Sequence, residues 1–116
     1  MLSKVDLPRW PRKIIDILEE DYQLRELAIR RNKHFVCTGY FGQPSHDFRW
    51  NVACTPSDVN ANRAALRMIK KELRKNNISL ERANEFPIQF FSIHSLQRVT
   101  LSEALASWEA EIDPKL

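Results

Sequence analysis

Glycine is scarce in this chain: only Gly39 and Gly42 occur in 116 residues, so few positions are free to take the left-handed backbone that tight turns use. Neither glycine belongs to a Walker loop or a GxGxxG pattern, and no GxSxG or HExxH occurs, which excludes phosphate-cradling loops and the common hydrolase motifs. Cysteine is equally rare. Cys37 and Cys54 are too few for a disulfide framework and have no CxxC spacing, so reduced, buried thiols are expected. With His34, His46 and His94 scattered along the chain, no zinc-ligand pattern forms, and neither metal nor cofactor is expected. No apolar run approaches the roughly 18 residues that span a membrane. The N-terminus carries charges and prolines where a signal peptide has its apolar stretch. The expectation is a cytoplasmic protein without a membrane partner.

What is present is an ordinary globular composition, 43% apolar and 28% charged, at a length that fits one domain, residues 1–116, with a core over 12–76 and a C-terminal extension over 79–116. The net charge of +3 is unevenly spread. Residues 1–55 hold nine basic and seven acidic side chains, residues 56–78 six and two, and residues 79–116 three and six. Positive potential is thus concentrated in the middle of the chain, as on an anion-binding face.

Three kinds of pattern organise the sequence. Residues 12–31 read as helix, straight or bent, with Ile14, Ile15, Leu18 and Tyr22 on one face and then Leu24, Leu27 and Ala28. HFVCTGYF at 34–41 and FRWNVAC at 48–54 are rich in aromatic and β-branched residues and predict an antiparallel hairpin, with Gly39 and Gly42 flanking its turn. Alternation assigns Phe35, Cys37, Phe41, Phe48, Trp50, Val52 and Cys54 to the core, and His34, Thr38, Tyr40, Arg49 and Asn51 to the opposite face. TPSDVNANRAALRMIKKELRKN at 55–76 predicts a helix with Thr55 as N-cap, Pro56 at the first helical position, Asp58 closing a capping box, and Asn76-Asn77 as the stop. PIQFFSI in the following segment suggests a short strand. Thr100 with Glu103 then opens a last, acidic helix carrying Leu101, Leu105, Trp108 and Ile112. The fold class is α+β: a small antiparallel sheet of two to three strands packed against helices, an α-β-β-α core with an added C-terminal amphipathic helix.

Function is sought on the basic helix. At about 100° per residue, Arg63, Arg67, Lys70 and Arg74 fall in an arc of roughly 60°, beside a core stripe of Asn62, Leu66, Ile69 and Leu73. With Lys71 they extend over roughly 16 Å, enough for a few successive phosphates. Arg30, Arg31, Lys33, Tyr40 and Arg49 form a secondary set, Tyr40 being the aromatic side chain free to stack on a base. The partners this predicts are nucleic acid, RNA or DNA, or an acidic protein held by the same face. The alternative use of the stripe is pairing with the acidic C-terminal helix. His34, behind Arg30, Arg31 and Lys33, is the one catalytic candidate: a neutral imidazole among cations can serve as general base or acid on a ribose hydroxyl.

The order helix, hairpin, helix, with a basic segment leading into KHF and a TPSD-started helix ending in LRK, resembles the HicA-type toxins of toxin–antitoxin systems and related mobile-element proteins of double-stranded-RNA-binding-domain-like fold. The resemblance covers residues 12–76. It implies RNA cleavage by a histidine at the start of the first strand, the position of His34 here, and an origin in a phage or plasmid. The chain departs from the pattern in two ways. Asn32-Lys33 stands where those toxins have a glycine and a small hydroxyl residue, and about 40 residues follow the basic helix. This added layer would cover the sheet or bind a protein, as in a small inhibitor.

Overall fold

Two prolines set where the chain enters its first α-helix. Pro8 takes the N-cap position of α1 (Arg9–Asp21), and Pro11 lies in its first turn, where a missing N–H breaks no intrahelical bond. The helix buries Pro11, Ile14, Ile15, Ile17 and Leu18. In this computed structural model, which describes residues 2–78 and 100–113, the elements that follow are β1 (Leu24–Arg31), β2 (Phe35–Phe41), β3 (Asp47–Val52), α2 (Val59–Lys75) and α3 (Leu101–Ile112).

The helix expected over 12–31 therefore ends ten residues early. Tyr22 caps α1, Gln23 turns into left-handed backbone (φ 60°), and the chain reverses into a strand. β1 escapes a sequence reading because it contains a bulge between Arg25 and Ala28, with Glu26 at φ 52°. Leu24 and Ile29 are five residues apart and would face opposite sides of a regular strand. The extra residue returns both to the core and erases the alternation that marks a strand. Gly39 is the counterpart of the bulge. It lies within β2, not beside the turn, and a Cβ there would stand 2.7 Å from the Arg25 carbonyl oxygen. Gly42 does serve the turn after β2, at φ 76°.

The sheet is antiparallel in the order β1-β2-β3. Its third strand is β1, ahead of the predicted hairpin; the PIQFFSI segment lies outside the described residues. The hairpin register pairs Cys37 with Trp50 and Phe35 with Val52, and the assigned core face is buried except for half-buried Cys54. Phe41 and Phe48 meet edge to face at 5.4 Å, and the Trp50 indole N–H donates to the Ala65 carbonyl at 2.8 Å.

α2 begins at Val59, later than predicted. Asp58 is its N-cap, accepting the Ala61 N–H at 3.0 Å, while residues 55–58 form a turn closed by the Asp58 N–H on the Thr55 carbonyl. Thr55 and Pro56 thus precede the helix. Asn62, on the core stripe, is buried because its amide donates to the carbonyls of Thr55, Pro56 and Asp58 and pins that turn. At the other end Asn77 adopts φ 58°, with Asn77 N–H on the Arg74 carbonyl and Ile78 N–H on the Leu73 carbonyl, a Schellman closure that realises the predicted stop.

α3 starts as predicted, its Thr100 hydroxyl accepting the Glu103 N–H at 3.1 Å. It packs on α1 and α2, burying Leu101, Ala104, Leu105 and Trp108, the last edge to face with Trp50 at 6.0 Å. One core cluster draws on each of the α-helices and strands named above. The result is a small α+β fold with, among the described residues, three α-helices and a three-stranded sheet.

Candidate nucleic-acid interface

α2 runs alongside β3, and the two are joined through the edge of the strand that faces away from β2. The backbone N–H of Arg49 donates to Glu72 Oε1 at 2.8 Å and that of Asn51 to Met68 Sδ at 3.4 Å. Helical side chains thus satisfy edge groups that would otherwise need water or another strand. Glu72 is 8% exposed. Its carboxylate is compensated by that N–H and by Lys75 at 3.0 Å; Lys75 also lies 3.5 Å from Asp47, and its pKa is pushed above the ordinary lysine range, first by the Glu72 hydrogen bond.

This arrangement divides the predicted stripe. Arg63 donates through Nε to Asp113 Oδ2 at 2.9 Å and pairs through its terminal nitrogen with the same carboxylate, which raises its pKa further. Lys70 lies 3.5 Å from Glu109. Two of the five predicted cations therefore face α3. Arg67, Lys71 and Arg74 are exposed and have no acidic partner among the described residues. At helical spacing they form a crest about 60° wide.

On the β3 side of the crest lies an open groove of about 550 Å³, lined by Arg49, Arg67, Met68, Lys71 and Lys75 together with Asp47 and Glu72. Arg49, assigned to the secondary set, joins the primary set here because it sits on the sheet face away from the core, opposite Thr38. Glu72, Met68 and Lys75 were not predicted. Their signal was the i, i+4 and i+3 spacing of Met68, Glu72 and Lys75 along one side of the helix, which reads as a site only once β3 is known to lie beside it.

The remaining candidates are dispersed. Arg30 pairs with Val36 and Tyr40 with Arg25 and Asp47, on the same outer face as Arg49. Arg31 lies over the Phe35 ring at 5.5 Å. Lys33 and His34 are exposed in the turn between β1 and β2, so His34 precedes β2 instead of opening it. The hollow beside His34 is lined by Asn51, alanines and Met68 and holds no other ionisable side chain among the described residues. Cys37 is buried, which pushes its thiol up to about 12, and Cys54 donates to the Lys33 carbonyl. Among the described residues no group of three metal-ligating side chains forms, and no helix is long and apolar enough to cross a membrane. No protein-family model, curated protein or solved structure matches this chain.

Proposed function

We propose that this protein binds nucleic acid along the groove between β3 and the Arg67–Lys71–Arg74 crest of α2, with RNA as the form that the sequence resemblance implies and a phage or other mobile element as its source. The observation that carries this reading is the unneutralised state of Arg49, Arg67, Lys71 and Arg74 among the described residues, against the engagement of Arg63, Lys70 and Lys75 by carboxylates. Phosphates supply the missing anions, and their binding releases counterions whatever the base sequence. Titration of a labelled RNA duplex across a salt series tests it: log affinity should fall with log salt by roughly 0.7 to 0.9 per phosphate engaged. A salt-independent response, or no binding at low salt, ends the reading.

A second reading, an inhibitor or interaction module that holds an acidic protein on the same face, draws on one observation. Arg63 and Lys70 already grip an acidic helix within the chain, at Asp113 and Glu109. Competition by polyglutamate that is stronger than competition by RNA favours it. For the HicA-like ribonuclease reading, His34 would need a partner for the second proton transfer of cleavage through the 2′-hydroxyl. Among the described residues no ionisable side chain other than His34 lines its hollow, which weighs against catalysis.

A further inference from the structure

Next to the basic groove, sharing Met68 with it, is a second hollow of about 190 Å³ between the end of β3 and the first half of α2. Its walls divide by chemistry. Ala61, Ala64 and Met68 offer apolar, low-relief surface, and Met68 brings a polarisable sulfur suited to an aromatic face. His34 and Asn51 supply polar groups to the lining. The Asn51 side-chain oxygen is buried and has no hydrogen-bond partner among the described residues, a state that costs stability unless a donor arrives. Its terminal torsion is of the broad sp³–sp² kind, which leaves the amide able to rotate to meet an incoming group. The volume lies below the ~300 Å³ at which sites for drug-sized ligands begin and suits a single planar ring system.

Apolar faces with one polar edge are the chemistry of a nucleobase. We propose that this hollow receives one unpaired base bearing an exocyclic amine, adenine being the base whose adjacent donor and acceptor match an asparagine amide, while the neighbouring phosphates rest on Arg67, Lys71 and Arg49. The inference rests on the groove reading and narrows it to a strand with at least one unstacked base. A fully paired duplex would leave the hollow empty.

The test compares oligoadenylate, oligouridylate and an abasic oligomer of equal length and charge at one low salt concentration. The wild type should bind oligoadenylate about tenfold more tightly than the abasic oligomer, the size expected for one stacked and hydrogen-bonded base. That ratio should collapse towards one in Asn51→Ala, which removes the amide, and in Ala64→Leu, which fills the hollow from an exposed helical position with a good helix former. If Asn51→Ala does not fold, as its circular dichroism would reveal, Ala64→Leu decides alone. Equal affinity for oligoadenylate and either other oligomer overturns the base site and leaves the groove intact. A preference that survives both variants also overturns it. Failure of all three oligomers to bind removes the groove reading and the base site together.

Discussion

Glu72 in the last turns of α2 accepts the backbone N–H of Arg49 at 2.8 Å, and this bond seats the basic crest against the edge of the sheet. Replacing Glu72 with alanine leaves that N–H without its acceptor and Lys75 without its nearer carboxylate. The expected loss is about 1–3 kcal/mol of stability, read from denaturant unfolding. Glu72→Gln keeps an acceptor and should recover most of it. Equal losses in the two variants would show that charge, not the hydrogen bond, holds the helix to β3.

The two halves of the stripe should behave differently. Arg49→Glu with Arg67→Glu and Lys71→Glu should abolish RNA binding with little change in melting temperature, since all three side chains are exposed and without acidic partners among the described residues. Arg63→Glu with Lys70→Glu should instead weaken the α2–α3 contact, setting like charges against Asp113 and Glu109 while retaining most RNA binding. Filter binding and thermal melting on the same preparations separate the two effects, and the reverse pattern would place the interface on the α3 side.

Trp108 anchors the C-terminal helix, 3% exposed and edge to face with Trp50. Trp108→Ala should destabilise the protein by about 3–5 kcal/mol. An unchanged melting temperature would mark α3 as an appendage to the core.

At Gly39 even one methyl group is too many, because the Arg25 carbonyl occupies its place at 2.7 Å. Gly39→Ala should cost about 1–3 kcal/mol and disturb amide exchange protection around the β1 bulge. Wild-type stability and protection would mean that the bulge relaxes freely.

Burial of Cys37 sets a pH dependence. Its thiol rises from 9.0 to about 12 in the folded protein, so the folded state holds a proton that the unfolded chain releases above pH 9. Stability from this group is complete below that value and declines as pH rises from 9 towards 12. Unfolding at several alkaline pH values should show this decline in the wild type and a shallower one in Cys37→Ala; parallel curves would remove the thiol as its cause.

Much of this architecture was legible because it obeys simple periods. Alternating Phe48, Trp50 and Val52 fixed the face of the hairpin, the Leu66, Ile69 and Leu73 spacing fixed the buried side of α2, and the Thr100–Glu103 box fixed where α3 starts. β1 is hidden because its bulge breaks the period of two, leaving Leu24, Leu27 and Ala28 to mimic a helical face that only the pairing of the strand with β2 overrides. The start of α2 was misplaced because Thr55 and Asp58 are both competent caps, and Asn62 reaching back to the Thr55 carbonyl holds the earlier residues in a turn. Charge by itself marked the stripe, but it could not say which cations were free. That depended on Asp113 meeting Arg63 across fifty residues of sequence and on β3 bringing Arg49 beside Arg67 and Lys71. A local pattern records the preference of each segment for helix or strand, whereas the pairing of charges is decided only when packing fixes the distances between segments.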